Sequence, residues 1–558
     1  MKQVKFFALG GLGENGKNMY CVEVGEEIYI LDAGLKYPTN ELYGVDEIIP
    51  DYKMLIAAQK RIVGIFISHP HEDHVGALPY LLKDLKVPIY GTHLALEFIK
   101  DSLEEADFNL AEHQFIPVKS DAVLSFNNAK VSFFDTTHSI PEAVGIAIET
   151  KQGVIVYTSE FTLKQSRDDK YRTDFKKINE IANKGVLALL IESVGSYHSG
   201  FQNLDLLRHQ IENVFNQAKG RLIVSLFASD LQKIQWVINV AVSHNKKIAL
   251  IGRKAQRIVD IALQNGYLSF PEGSFVNLRF IDDKNKNNQS DLVAIVIGKR
   301  HEPFYMLQRM AKKADRLIHI EENDTIVLLT PPIPGTERMA SRTLDILYRG
   351  ESTIKQIDRK LLSTSHASAD EVVMMTNLFR PKYVIPVIGE FQHQNRVKKL
   401  IQEIGYQPDD IIVCDNGDVV TFDKNRFYVS KNEIRTGDIL IDGTPLDNYN
   451  DVILRDRELL AEDGVILIIA NVNAKKRQII DNDIEIITKG FSYHHETYNI
   501  LEHLKEIFLE VSKKELIGKY INWNDYKRNI RNEASRYIYK QIKRNPIIIP
   551  VIIGTELD

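Results

Sequence analysis

Ser68-His69-Pro70-His71-Glu72-Asp73-His74 follows directly on the apolar run Ile62 to Ile67, placing three imidazoles with acids between them in six residues at the end of a buried strand. The turn after such a strand throws His69 and His71 to one side, while Asp73 and His74 reach a neighbouring point. That division suits two metal ions about 3.5 to 4 Å apart, each with its own group of ligands. Imidazole and carboxylate donors are those preferred by zinc and manganese. A single core histidine is common, but three beside acids are costly to bury without metal or charged partners.

The remaining chain sets limits on what this stretch belongs to. Its 558 residues exceed what one core supports and predict three or four structural units. A net charge of -5 gives no global basic field, so nucleic-acid affinity has to come from a local groove. Only Cys21 and Cys414 are present, each in an expected strand, and Met1-Lys2-Gln3-Val4 begins no apolar signal region. These features predict a reduced, cytoplasmic protein. The longest apolar run, Ile547 to Ile553, is broken by Pro550 and falls short of the roughly 20 residues of a membrane span.

Towards the N-terminus, Gly10-Gly11-Leu12-Gly13-Glu14-Asn15-Gly16 contains G-x-G-x-x-G, with Asp32 further on. A dinucleotide fingerprint requires a helix after the glycines, whereas Asn18 to Val24 reads as a strand. The stretch is therefore expected to be a glycine-rich hairpin whose backbone passes close to a neighbour, with the metal site a candidate. Asp32-Ala33-Gly34 ends a strand, where an acid can orient ligands from behind. Past the histidines, a helix is expected over Val75 to Leu82 and another over Leu94 to Glu105. Strands ending at Asp135-Thr136-Thr137-His138-Ser139 and Thr158-Ser159-Glu160-Phe161 add His138 and Glu160 to the metal-type side chains at strand ends.

From Leu204 the pattern becomes helix and strand in alternation, a parallel α/β unit. It includes a polar loop at Asp282 to Asn288 and a strand end at Pro331-Pro332-Ile333-Pro334-Gly335. A strand expected at Leu361 to Ser363 runs into Thr364-Ser365-His366-Ala367-Ser368 before a helix over Asp370 to Phe379. Hydroxyls and an imidazole at a helix N-terminus form a phosphate cradle, or else an ordinary serine cap with a bystander histidine. A turn-rich connector, Gly437 to Asn450, precedes a last α/β unit. Its basic helix, Trp523 to Lys543, carries an apolar stripe of Ile530, Ala534, Tyr537 and Ile538, which favours packing or oligomer contacts over RNA binding.

Taken together, His69-Pro70-His71-Glu72-Asp73-His74, preceded by Asp32 and followed by His138 and Glu160, resembles the metallo-β-lactamase fold. The α/β unit resembles the β-CASP domain of nucleases. The glycine-rich start, Thr137-His138-Ser139-Ile140-Pro141, Pro332-Ile333-Pro334-Gly335 and Arg380-Pro381-Lys382 before Ile385-Pro386-Val387 resemble the bacterial ribonuclease J family over essentially the whole chain. The fold implied is an αββα metallo-β-lactamase sandwich with an inserted parallel α/β β-CASP domain and a small C-terminal α/β domain. Its expected parts are residues 1–203 and 351–425 for the sandwich, 204–350 for the insertion, 426–450 for a linker and 451–558 for an oligomerisation domain.

The resemblance implies a metal-dependent RNA phosphodiesterase acting 5′ to 3′ on monophosphorylated single-stranded RNA, with endonuclease capacity, in mRNA decay and rRNA processing. By position, His69, His71 and His138 would hold one zinc or manganese ion, Asp73 and His74 the other, and Glu160 would bridge. Asp73 and His366 would be catalytic, and Ser365, His366 and Ser368 would contact phosphate. The sequence departs from the family in three places. Glu160 stands where active relatives have an aspartate, which lengthens the arm by about 1.5 Å. Ile388 stands where the family has a histidine completing the second site, so that site is expected to be weak. The Ser365-His366-Ala367-Ser368-Ala369-Asp370 loop has fewer glycines and lacks the family's Gln-Glu after the serine. This pattern resembles a weakly active paralogue, with low or conditional activity. The alternative is an impaired structural subunit supporting an active partner, as a homodimer or hetero-oligomer.

Overall fold

The computed structural model describes all residues except 1, 39–43, 164–167, 202–203, 277–290, 334, 363–364, 424–425, 446–449, 492–496, 518–519 and 556–558. The chain divides into a large unit reaching Ile441 and a C-terminal unit from Asp442 onward, with residues 40–46 grouped with the latter.

Alternating apolar strands in the large unit build two sheets that share a core. One has eight strands, from the edge strand Arg426–Ser430 through Val419–Asp423, Val4–Gly10, Met19–Val24, Glu27–Leu31, Ile62–Phe66 and Ile89–Gly91 to Phe115–Pro117. The other has six, in the order Tyr383–Val387, Val186–Glu192, Gly153–Tyr157, Val144–Thr150, Lys130–Asp135 and Val123–Ser125. Between them Phe6, Tyr20, Tyr29 and Phe66 meet Phe133, Ile146, Ile155, Leu190 and Ile385, all buried. The outer face of the first sheet buries apolar residues of helices Leu78–Asp84 and His93–Glu105. The second covers its outer face with Phe175–Ala182, Ala369–Phe379 and Phe391–Glu403. The result is the expected αββα sandwich.

Parallel registers align the strand ends that matter. Leu31 pairs with Phe66 in one sheet, while Tyr157 pairs with Leu190 and Glu192 with Val387 in the other. Asp32, Ser68, Glu160, Glu192 and Ile388 therefore leave their strands at one common edge, and the Val144 amide donates to the Ser68 carbonyl across it at 3.0 Å.

The inserted lobe is a five-stranded, wholly parallel sheet in the order Lys247–Ile251, Leu292–Gly298, Leu222–Phe227, Thr325–Leu328, Thr353–Gln356. Its inner strands are apolar runs because helices cover both faces, whereas the edge strand Thr353–Gln356 is largely exposed. The last strand lies beyond the boundary expected at residue 350. Helix Glu302–Ala311, unassigned from sequence, packs on this sheet. The polar stretch Asp282 to Asn288 lies outside the described residues.

Three local expectations are corrected. Val75 to Leu82 is split into Glu72–Val75 and Leu78–Asp84. Arg359–Leu362 is a helical turn rather than a strand, with the Leu361 and Leu362 amides donating to the Asp358 carbonyl. Ser363 and Thr364, with which that expectation continued, lie outside the described residues. Most consequential, residues 426–450 are not simply a linker. Arg426–Ser430 is the edge strand of the large sheet, and Asp438–Asp442 pairs antiparallel with Glu47–Pro50. Arg426–Ser430 is an edge strand with little burial and Asp438–Asp442 is short, so the apolar alternation of both is weak in sequence. Asp438 also enters a ring of charges in which the ammonium groups of Lys17 and Lys36 each contact both Glu14 and Asp438.

The C-terminal unit has a three-stranded sheet, Gln478–Lys489, Val465–Asn473 and Ile547–Thr555, with helices Thr497–Glu515 and Trp523–Ile542 on one face. Ile530, Ala534 and Ile538 are fully buried in that contact and Tyr537 partly so, which is the packing role expected of the stripe. No helix among the described residues is long and apolar enough to cross a membrane.

One buried ion pair dominates the inserted lobe. Arg221 donates to both oxygens of Asp324 at 2.8 and 2.6 Å and to the His319 carbonyl at 2.8 Å. Asp324→Ala strands a buried guanidinium and is expected to cost about 3–5 kcal/mol, measured as a lower thermal unfolding midpoint and denaturant midpoint.

Candidate metal centre

The six residues expected as metal ligands converge at the shared sheet edge. His69 Nε2 and His138 Nε2 each lie 3.1 Å from His71 Nδ1. Glu160 Oε2 lies 3.2 Å from His138 Nε2, 3.6 Å from His69 Nε2 and 4.0 Å from His71 Nδ1. The other oxygen, Oε1, faces His74 Nε2 and His366 Nδ1, each at 3.6 Å. Asp73 Oδ2 is 3.4 Å from His74 Nε2. Two groups of donor atoms result, His69, His71, His138 and Glu160 in one and Asp73, His74 and Glu160 in the other, each within 4.8 Å. The longer arm of glutamate reaches between them. It does so from Ser159, whose φ of 53° turns the chain at the strand end.

Hydrogen bonds behind the imidazoles set which nitrogen faces inward. His138 Nδ1 donates to the Ser365 carbonyl at 2.9 Å, and His74 Nδ1 donates to Asp32 Oδ2 at 2.7 Å. His69 Nδ1 lies 3.0 Å from Ser68 Oγ, whose own proton goes to Asp32 at 2.8 Å. Burial holds His69 and His138 below the ordinary histidine pKa, so each keeps one proton, on the outer nitrogen. The inner nitrogens of His69 and His138 then turn lone pairs toward His71 Nδ1 and the Glu160 carboxylate. Lone pairs facing a buried carboxylate repel it, and a cation among them removes the repulsion. On this ground the donor set fits a divalent metal.

Asp32 has the orienting role expected of it. Fully buried, with φ of 61°, it also accepts from the Ser68 amide and from the Tyr157 hydroxyl, both at 2.8 Å. Asn18 was not singled out by sequence, yet its Nδ2 lies 3.3 Å from Asp73 Oδ2 and 3.2 Å from His74 Nε2. Glu192 was also missed. It accepts from His366 Nδ1 at 3.0 Å and from the amides of Phe161 and Ala367 at 2.7 and 2.9 Å. The available signal was an acid ending an apolar strand, the same one that drew attention to Asp32. Burial would depress the pKa of His366, but Glu160, Glu192 and Asp73 outweigh it and push it up to about 9.

The serine cradle resolves toward the cap. Ser368 is buried, and its hydroxyl accepts from the Glu371 amide in a capping box. Its own amide donates to Glu371 at 2.9 Å, and those of Ala367 and Ala369 go to Glu192 and the His198 carbonyl. The Ser368 hydroxyl oxygen thus serves the cap as an acceptor, and His366 is the ionisable group facing the centre. Ser365 is placed beside it by its carbonyl.

The glycine-rich stretch is the expected hairpin, followed by strand Met19–Val24 rather than a helix. The neighbour it approaches is residue 388. The Ile388 amide donates to the Gly11 carbonyl and to the Tyr20 hydroxyl, both at 3.1 Å, while its carbonyl accepts from the Ser193 amide and hydroxyl. Ile388 is buried with φ of 51°, an unusual conformation for a β-branched residue. Its side chain packs in the apolar core between the two sheets. His393 sits in the first turn of Phe391–Glu403 and takes part in its capping box.

Comparisons with known proteins agree with this construction. Family models match in chain order: the metallo-β-lactamase superfamily over residues 12–179, the ribonuclease J β-CASP domain over 219–347, the zinc-dependent metallo-hydrolase RNA specificity domain over 356–413, and the ribonuclease J C-terminal domain over 452–555. Ribonuclease J 2 of Staphylococcus epidermidis is 35% identical over 552 residues, covering 99% of this chain and 98% of the relative. Ribonuclease J 2 of Staphylococcus aureus shows the same identity and coverage. A crystal structure of a protein of unknown function from Enterococcus faecalis shares the fold, with a TM-score of 0.54 and 13% identity over 76% of this chain and 100% of that one. A histidine and carboxylate centre, an inserted β-CASP lobe and full-length relatives coincide in one chain, which therefore belongs to the ribonuclease J family of metal-dependent ribonucleases.

Proposed function

We propose that the chain degrades 5′-monophosphorylated single-stranded RNA in the 5′ to 3′ direction, with some capacity for internal cleavage, and that its activity is low or conditional. The observation that carries this reading is the sharing of Glu160 between two groups of ligand atoms. His69, His71 and His138 would hold one divalent ion, zinc or manganese, and Asp73 with His74 a second, weaker one. When bound, such ions stabilise charge on phosphoryl oxygens and lower the pKa of water at the site. Glu160 keeps the two groups in register. Asp73 closes the half-exposed side of the centre, and Asn18 holds its carboxylate toward His74. His366, cationic at neutral pH, holds a phosphoryl oxygen or gives it a proton, with Ser365 alongside. Glu192 behind it fixes the ring. We assign the protein to cytoplasmic mRNA decay and rRNA processing, with the C-terminal unit serving assembly.

A second reading, that of a structural subunit supporting an active ribonuclease J partner, is favoured by Ile388. An isoleucine cannot ligate, and it stands, its backbone held by four hydrogen bonds, where the resemblance expects the histidine of the second site. In that case RNA turnover by the complex is indifferent to the ligands of this chain.

His71→Ala separates the two readings: the first expects it to abolish manganese-stimulated decay of 5′-monophosphate RNA and to lower bound metal measured on the same samples, the second expects equal background rates. Asp32→Asn frees His74 and is expected to weaken metal affinity about 10- to 100-fold in a competition titration with a chelating dye. The raised pKa of His366 gives a pH test. The imidazolium is present below about 9 and lost above it, so RNA binding by the chelator-treated protein is expected to fall through that pH, and the step to vanish in His366→Ala.

A further inference from the structure

Glu72 is the one carboxylate of the histidine motif that joins neither group of ligand atoms. Its side chain turns to the inserted lobe. Oε1 pairs with the Lys299 ammonium at 2.9 Å, and Oε2 accepts from the Tyr37 hydroxyl. Next along the chain, the Arg300 guanidinium lies 4.2 Å from the centre of the Tyr37 ring and donates to the Pro38 carbonyl at 3.2 Å.

These two cations stand on a turn that is built rather than loose. Strand Leu292–Gly298 ends there, inside the parallel sheet, and helix Glu302–Ala311 begins three residues later. The Lys299 amide donates to the Glu302 carboxylate, and the Glu302 amide to the Lys299 carbonyl, both at 2.9 Å. Arg300 has φ of 46°, in the left-handed region. Such strain persists where surrounding bonds impose it, and it clusters at ligand sites. Opposite, Gly335 has φ of 83°, and a Cβ there would come within 3.1 Å of the Pro38 oxygen and 3.4 Å of the Arg300 guanidinium. The missing side chain leaves room for the arginine. The carboxyl ends of strands in an open parallel sheet are where such folds take ligands.

The Lys299 and Glu72 side chains remain 38% and 32% exposed, so water and other anions reach the pair. An ion pair this open contributes little to stability and exchanges readily. The next residues in sequence on either side of Glu72, His71 and Asp73, belong to the centre itself. We infer that Lys299 and Arg300 are a binding site for the RNA backbone, held closed on Glu72 and Tyr37 in the free protein, and that a substrate phosphate takes up Lys299 by exchanging with the Glu72 carboxylate. Opening of the lobe and entry of RNA beside the metal motif are then one event. This inference rests on the RNA-degrading reading above and names the residues at which that substrate is taken up.

The test uses the full-length protein, a 3′-labelled, 5′-monophosphorylated single-stranded oligoribonucleotide, fluorescence anisotropy across a potassium chloride series, and chelator to stop turnover. Lys299→Gln is expected to weaken binding about tenfold and to reduce the slope of log affinity against log salt by about 0.7, the loss of one phosphate contact. Glu72→Gln is expected to tighten binding about three- to tenfold, because it releases Lys299 without removing it. In the double variant the gain from Glu72→Gln disappears, which distinguishes release of Lys299 from simple removal of a negative charge. Lys299→Arg retains binding, and thermal melts confirm that each variant is folded. Binding by the wild type with both single variants shifted the same way, or neither shifted, overturns this inference alone and makes the pair a strut between lobes. Absence of RNA binding by the wild type overturns it together with the reading on which it rests.

Discussion

A carboxylate removed from water has to be answered by positive charge, and the fully enclosed position of Glu160 imposes that condition on everything around it. Burial opposes ionisation of Glu160, yet the positive charge of the His366 imidazolium holds its carboxyl well below the usual range. Its two oxygens point to different groups of donor atoms, so one charge is spread across both. The sheets support this arrangement by parallel pairing. Because Glu27–Leu31 and Ile62–Phe66 share a register, as do Gly153–Tyr157 and Val186–Glu192, the residues that follow them arrive at one edge without any long connection. A one-residue slip in either pair would turn Asp32 or Glu160 to the opposite face.

The groups behind the centre do as much as those in it. Asp32 joins His74, Ser68 and Tyr157 in one buried network, and the Ser68 hydroxyl passes its orientation on to His69. The Ser365 carbonyl does the same for His138, which brings the loop before helix Ala369–Phe379 into contact with the first group of ligands. That loop carries His366. The placement of His366 and that of the first group of donor atoms are therefore coupled through backbone, and a change that moves Ser365 moves both.

Asymmetry is built into this centre. Among the described residues, the group around His69, His71 and His138 counts four residues with Glu160, whereas the group around Asp73 and His74 counts three, Glu160 being shared. The inserted lobe approaches from the Asp73 side through Lys299 and Glu72, so the half of the site with fewer ligands is also the half bordered by exchangeable cations.

Much of this was legible in the order of residues. Histidine spacing after an apolar strand identified His69, His71, Asp73 and His74 as a divided ligand set, and strand-end reasoning added Asp32, His138 and Glu160, because a strand delivers the residue after it to a fixed edge. Helix and strand alternation identified the parallel sheet from Leu222 onward, since strands buried on both faces have to be apolar throughout. What the sequence could not decide is which partner a polar side chain takes when several are within reach. Ser368 became a helix cap, Glu72 turned to Lys299 rather than to the metal group, and Glu192 and Asn18 acquired roles only through residues far away in the chain. Arg426–Ser430, quiet as a pattern, became strand because the edge of the large sheet was available to pair with. Local periodicity reports burial, which one element can encode alone, whereas a hydrogen bond or ion pair between distant residues exists only once tertiary packing has set the distance.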